Sequence, residues 1–222
     1  MDLTMYDILL QLPLFQGMSN AEFTNLLNKV KFHFTKHVKG EKIIKAGEKC
    51  EQFVFVINGD VISERFSHSV EFSFIETLCA PVLIEPYSIF GFNPAFTSNY
   101  IAKTDVSILR IEKNYIYSEL GKFNIFIMNL LNAISYRAQT QGDKIWNHPV
   151  LPLKERIIKF VVDLSEVQFG EKSLKIKMED LAQIMNETRL SVSKTLNELE
   201  SENKIILKRK EIIFPSIENL IS

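Results

Sequence analysis

The sequence predicts an α+β protein: a β-rich N-terminal domain with flanking helices, then one long helix, then a C-terminal domain of short helices closed by a basic hairpin. Three observations predict it. Between Phe32 and Ile111, short β-branched and aromatic runs (KIIKAG, FVFVING, VISERF, VEFSFIE, PVLIEP, VSILRI) are separated by Gly, Pro, Asn and Ser, the texture of a closed β-sandwich or barrel. Beyond it, apolar residues hold helical spacing for about seven turns. From Met178 the chain reads MEDLAQIMNETRLSVSKTLNELESENKII and then LKRKEIIF, two short helices with a tight turn, followed by a hairpin.

In chain order, Tyr6 to about Lys31 reads as helical. Ile8, Leu9 and Leu12, then Phe23, Leu26, Leu27 and Val30, recur at helical spacing, and Pro13 and Gly17 punctuate the middle. Ser19 followed by Glu22 is a capping box. Gly40, Gly47 and Gly59 are turn positions in the β region. After Lys113 a short helix ends near Gly121, and the long helix follows. Leu120, Phe123, Ile127, Leu130, Leu131, Ile134, Ala138 and Ile145 lie on one stripe, and Phe126 and Ala133 add an adjacent apolar side. Such a helix packs on its own barrel with one face and on a second copy with the other. The expected dimer interface is Phe123, Ile127, Leu130, Leu131, Ile134 and Ala138. In GDKIWNHPVLP, Gly142, Pro149 and Pro152 interrupt the periodicity and mark a domain boundary. The domains are therefore 1–121, a β domain; 122–146, the dimerisation helix; and 147–222, the C-terminal domain. The helix LKERIIKFVVDLSEV carries Ile157, Val161 and Leu164 on the side that packs against the two short helices.

Those two helices carry the chemistry. Leu181, Ala182 and Met185 form one inner face, and Val192, Leu196 and Leu199 the other. Leu190, Ser193, Lys194 and Asn197 lie at least about 100° around the second helix from its inner stripe, so they point outward. Thr188 caps that helix, which puts Arg189 at its leading end, where groove contacts are made. The chain has 222 residues and a formal net charge of -1, from 26 basic and 27 acidic residues, so bulk charge neither demands nor excludes a nucleic-acid partner. From Val150 onward 12 basic residues face 12 acidic ones, yet Lys204, Lys208, Arg209 and Lys210 cluster just after the outward-facing helix. A polarised neutral domain still holds phosphates with one face, with an affinity that falls steeply with salt.

The two cysteines, Cys50 and Cys79, form no CxxC pair, and an iron–sulfur cluster needing four thiolates cannot be built from them. They read as reduced structural cysteines of a cytoplasmic protein. The N-terminus MDLTMYDILL lacks a basic leader, and no apolar run is long enough to span a bilayer, so no membrane partner is expected. HExxH, GxSxG, P-loop and Rossmann patterns are absent, so an enzyme is not expected.

The order of elements resembles the Crp/Fnr family of bacterial transcription regulators along essentially the whole chain. LFQGMSNAEFTNLL and KGEKIIKAGEKCEQFVFVINGDV look like the family's first helix and first β-roll strands, and ETRLSVSKTLNELESENKII is similar to its recognition helix. The resemblance implies a cyclic-nucleotide-binding-like β-roll sensor at 1–121, a winged helix-turn-helix at 147–222, a homodimer on a near-palindromic double-stranded operator, and RNA polymerase as a further partner. It places DNA contacts at Arg189 and Lys194, supported by Ser191 and Ser193. With the residues read above, the expected DNA-binding set is Thr188, Arg189, Leu190, Ser191, Ser193, Lys194, Asn197, Lys208, Arg209 and Lys210. Leu190 stands where many members carry a glutamate, which leaves the operator sequence open.

The sensing site departs from the pattern. Cyclic-nucleotide-binding members carry a glycine-glutamate pair and an arginine that forks onto the phosphate, whereas here the stretch is SIFGFNPAFTSNYIAKTDV. Phe92 follows Gly91, and no arginine occurs between Arg65 and Arg110. Without that guanidinium a buried phosphate is poorly compensated, so cAMP is not expected to bind. Phe90, Gly91, Phe92, Phe96 and Tyr100 mark the effector pocket, whose aromatics either fill it or line an apolar site. IETLCAPVLIEPYSIFG and ISYRAQ look like the nitrosative and oxidative-stress branch, some of whose members bind haem, with His33, His37, His68 and His148 as the available imidazoles. Two other readings stay open: a haem-dependent redox or NO-sensing regulator, and a protein–protein module that uses the winged fold for docking.

Overall fold

A computed structural model describes residues 5–67, 70–146 and 151–221. Its contacts divide the chain into two units that do not follow sequence order: Met1–Val61 with Leu78–Trp146, and Ile62–Thr77 with Asn147–Ser222.

In the first unit, α1 (Met5–Leu10) and α2 (Asn20–Leu27) occupy only part of the stretch that reads as helical, because the chain turns between them at Gly17, which has φ 86°. The Ser19–Glu22 capping box forms in both directions: the Ser19 hydroxyl accepts from the Glu22 amide (3.3 Å), and a Glu22 oxygen accepts from the Ser19 amide (2.9 Å). The strands that follow are β1 (His33–His37), β2 (Lys42–Ile44), β3 (Gln52–Asn58), β4 (Asp60–Ser67), β5 (Phe72–Cys79), β6 (Val82–Ile84), β7 (Asn99–Ala102) and β8 (Val106–Glu112). β1, β8, β3 and β6 form one antiparallel sheet in that order, and β2 pairs with β7. Gly59 joins β3 to β4 at φ 85°, where a Cβ would stand 2.4 Å from the Asp105 carbonyl oxygen, so only glycine fits.

α3 (Asn114–Ser118) and a 3-10 turn at Leu120–Lys122 lead into α4 (Asn124–Trp146), a helix of 23 residues and about 34 Å. Two expectations are corrected here. Leu120 lies in the 3-10 turn and Phe123 is extended, so neither belongs to the helical stripe. Gly142 does not break the helix, since one interior glycine costs about 1 kcal/mol and the flanking turns absorb it. The inward face of α4 is set by Phe126 and Leu130, both buried; Phe126 packs 5.8 Å from Phe15 and 6.0 Å from Phe53, centroid to centroid. Leu130 is thus buried against the chain's own core. The Asn129 amide donates to the carbonyls of Leu14 (3.3 Å) and Gln16 (2.9 Å), fixing the helix's rotation.

The second unit contains α5 (Leu153–Leu164), β9 (Lys172–Ile176), α6 (Met178–Met185), α7 (Arg189–Ser201), β10 (Ile206–Lys208), β11 (Glu211–Phe214) and α8 (Glu218–Ile221). Ile157 and Val161 of α5 pack with Leu181, Ala182, Met185, Val192, Leu196 and Leu199, as their spacing predicts, and Leu164 packs at the margin. The hairpin of β4 and β5, whose texture assigns it to the N-terminal β domain, joins this unit, with strand order β10-β11-β9-β5-β4. Phe72 pairs with Ile176, Phe74 with Leu174 and Glu76 with Lys172, and Phe74 enters the same buried core. Beneath it Lys172, fully buried, meets Glu76 at 3.1 Å, and Glu76 also accepts from the amides of Glu166 (3.1 Å) and Val167 (3.4 Å). Burial pushes the Glu76 carboxyl upward, against the pull of Lys172.

Candidate nucleic-acid interface

α6 ends at Asn186 in the left-handed region (φ 51°, ψ 48°), a conformation asparagine tolerates, and the Glu187 amide closes back onto the Ala182 carbonyl at 3.0 Å. The chain then extends at Thr188, whose hydroxyl accepts from the Ser191 amide at 3.1 Å and caps α7 as its sequence predicts. Arg156 on α5 holds this turn from below, donating to the Met185 carbonyl (2.9 Å) and to the Glu187 carboxylate. The launch angle of α7 is therefore fixed by one cap, one left-handed residue and one guanidinium.

With Val192, Leu196 and Leu199 buried, Arg189, Leu190, Lys194 and Asn197 are exposed, and Ser191 and Ser193 are half-buried beside them. Leu190 is 80 % exposed, an aliphatic group displayed on an otherwise polar edge, suited to a thymine methyl. Arg189 lies 3.3 Å from Glu179, and both groups are exposed. Lys208, Arg209 and Lys210 are exposed at the tip of the β10–β11 hairpin, with Lys210 at φ 60°. Lys204 is engaged instead: with Lys154 it holds Glu202, whose carboxyl they keep below its ordinary value.

Arg189, Lys208 and Lys210 line one cleft of about 360 Å³, together with Lys177. The sequence reading missed Lys177 because it stands one residue ahead of the helical motif; its only signal is a basic residue at the N-terminal end of α6.

The expected effector residues do not converge. Phe92 is fully exposed beyond Gly91, whose φ of 98° turns it outward, and Phe90 packs on Tyr117 with centroids 6.2 Å apart. Phe96 and Tyr100 are buried. The centre of this region is a residue the sequence reading passed over, Glu85, itself buried and left-handed at φ 38°. Its carboxyl oxygens accept from the Ser88 hydroxyl (2.7 Å), the Thr97 amide (2.8 Å) and hydroxyl (2.9 Å), the Ser98 amide (3.1 Å) and the Tyr100 hydroxyl (3.0 Å). Cys50 lies nearby, its thiol pushed up to about 12 by burial and then by Glu85.

Of the imidazoles, His37 is spent: Nδ1 meets the Glu41 carboxylate at 2.6 Å and Nε2 meets the Thr35 hydroxyl at 3.2 Å, so the ring does not fit an iron ligand. His33 lies opposite Arg110 in the β1–β8 pairing, and His68 and His148 lie outside the described residues. Among the described residues no cluster of His, Cys, Asp and Glu has metal-binding geometry, and no helix is long and apolar enough to cross a membrane.

Residues 155–222 match the family of the Crp-like helix-turn-helix domain. No curated protein matches the chain. Among solved structures, the Thermus thermophilus catabolite activator protein is similar with a TM-score of 0.53 at 17% identity, over 94% of this chain and 96% of that one. The N-terminal domain of a transcriptional regulator from Streptomyces coelicolor (TM-score 0.50, 19% identity, 66% of this chain and 100% of that) and the sensor domain of the regulator DNR from Pseudomonas aeruginosa (0.50, 18%, 66% and 99%) are similar as well. Residues 155–222 thus carry a Crp-like helix-turn-helix domain, and the chain shares the fold of the Thermus thermophilus catabolite activator protein along nearly its whole length.

Proposed function

We propose that the protein is a cytoplasmic homodimer that binds a near-palindromic operator through α7 and the β10–β11 wing, and that its β-roll does not take cAMP. One observation carries the DNA reading: the exposed edge of α7, led by Arg189, shares a cleft with Lys208 and Lys210 of the wing. A two-fold dimer sets the two α7 helices one helical turn of DNA apart, about 34 Å, which makes the operator palindromic. Support for the dimer comes from α4, where Met128 and Leu131 are 53% and 51% exposed beside half-buried Ile127 and Ile134. The reading of the sensor rests on Glu85, whose carboxyl group takes up the amides of Thr97 and Ser98, and on the absence of an arginine between Arg65 and Arg110.

The test is fluorescence anisotropy on DNA from upstream of the protein's own gene, with sedimentation of the free protein. Arg189→Ala and Lys194→Ala are each expected to weaken specific binding by about 1–3 kcal/mol, roughly five- to 150-fold. Ile134→Asp is expected to give monomers. Tight binding that ignores both helix substitutions, or a wild-type chain that sediments as a monomer, overturns the reading.

A further inference from the structure

Lys177 lines two cavities. One is the cleft it shares with Arg189, Lys208 and Lys210; the other, of about 480 Å³, is lined by residues of the β4–β5 hairpin and the wing, among them Phe66, Glu71, Lys177, Arg209 and Lys210. In the second cavity the Lys177 ammonium donates to the Glu71 carboxylate. The register explains the meeting: Phe72 sits opposite Ile176, so Glu71, one residue before it, comes level with Lys177, which precedes α6. Two residues back on β9, Lys175 lies 3.9 Å from Glu64 of the same hairpin. Glu71 also bears electrostatically on Lys210, and Lys177 holds the Glu71 carboxyl below its ordinary value. The hairpin therefore brings acidic groups to the end of the sheet where the basic cleft opens.

We propose that Glu71 sets the phosphate affinity of the DNA interface: it neutralises Lys177 and offsets Lys210 in the free protein, and a DNA phosphate gains Lys177 by displacing it. This inference rests on the DNA-binding reading above and deepens it, adding Lys177 as a contact and Glu71 as its counter-charge. Both side chains are solvent-exposed, so the exchange requires no unfolding.

The test uses the full chain and a mixed-sequence DNA duplex, whose binding is almost wholly a phosphate contribution, titrated by anisotropy over a series of KCl concentrations. Glu71→Gln is expected to tighten binding by about three- to tenfold at moderate salt and to steepen the log–log salt slope by about 0.9, one extra phosphate contact. Lys177→Ala is expected to weaken binding and to remove most of the gain from Glu71→Gln in the double variant, leaving only the smaller part owed to Lys210. Circular dichroism melts check that each variant is folded. An unchanged affinity and slope in Glu71→Gln, or an equal gain with Lys177 absent, overturns the proposal while leaving the DNA-binding reading intact. A wild-type chain that binds no duplex at all overturns both.

Discussion

Two buried carboxyl groups organise the two units, and they do so by opposite chemistry. Glu85, in the first unit, is satisfied by hydroxyls and amides, all neutral donors, drawn from within 15 residues of itself. Glu76, in the second, is satisfied by a buried ammonium 96 residues away and by two amides. The first arrangement ties a loop to itself. The second joins segments far apart in sequence, and it carries a heavier penalty when broken, because a lone ammonium in a dry core has no substitute partner.

The comparison breaks most visibly at Lys172. Glu76→Ala is expected to destabilise the second unit by about 3–5 kcal/mol in urea titrations, whereas Glu76→Leu combined with Lys172→Met is expected to come out near neutral. If the single and double variants are equally unstable, the ion pair is not the tie. Glu85→Ala is expected to cost less, about 2–3 kcal/mol, because it leaves only neutral donors without their acceptor, among them the buried Ser88 and Tyr100 hydroxyls, and no stranded charge. Glu85→Gln, which keeps one acceptor oxygen, is expected to fall between that variant and the wild type. A Thr188→Ala change, which removes one cap on the surface, is expected to cost about 1 kcal/mol and to loosen DNA binding as well.

Glu71 provides the smallest effect. Its carboxyl is depressed below 4.5 by Lys177, so its contribution is present above that pH and is lost as pH falls through the lower folded value. Acid melts are expected to show a shallow loss of stability below about pH 4.5 that Glu71→Gln flattens. A thiol assay sharpens the Glu85 side: exposed Cys79 is expected to react with alkylating reagent at neutral pH, and buried Cys50, raised to about 12, only after unfolding.

What the sequence revealed follows from the range of the interactions involved. The Ser19 and Thr188 caps lie within a few residues of their partners, and the inner faces of α5, α6 and α7 each repeat at local helical spacing, so motif and periodicity expose them. The pairing of β5 with β9 joins segments about a hundred residues apart, and nothing in VEFSFIE distinguishes a barrel strand from one that completes another unit. Glu85 was invisible for a related reason: one glutamate before a proline carries no motif, and its meaning comes from Thr97, Ser98 and Tyr100 folding back onto it. Phe92 misled in the opposite direction. An aromatic beside glycine suggests a pocket wall, yet the positive φ at Gly91 sends it outward.

The excursion of residues 62–77 has a practical corollary for anyone recombining such regulators. A chimera cut at residue 147 would transplant β9 without its neighbour, leaving a naked sheet margin flanked by Leu174 and Ile176 and inviting self-association. A functional graft has to carry two separate pieces of chain.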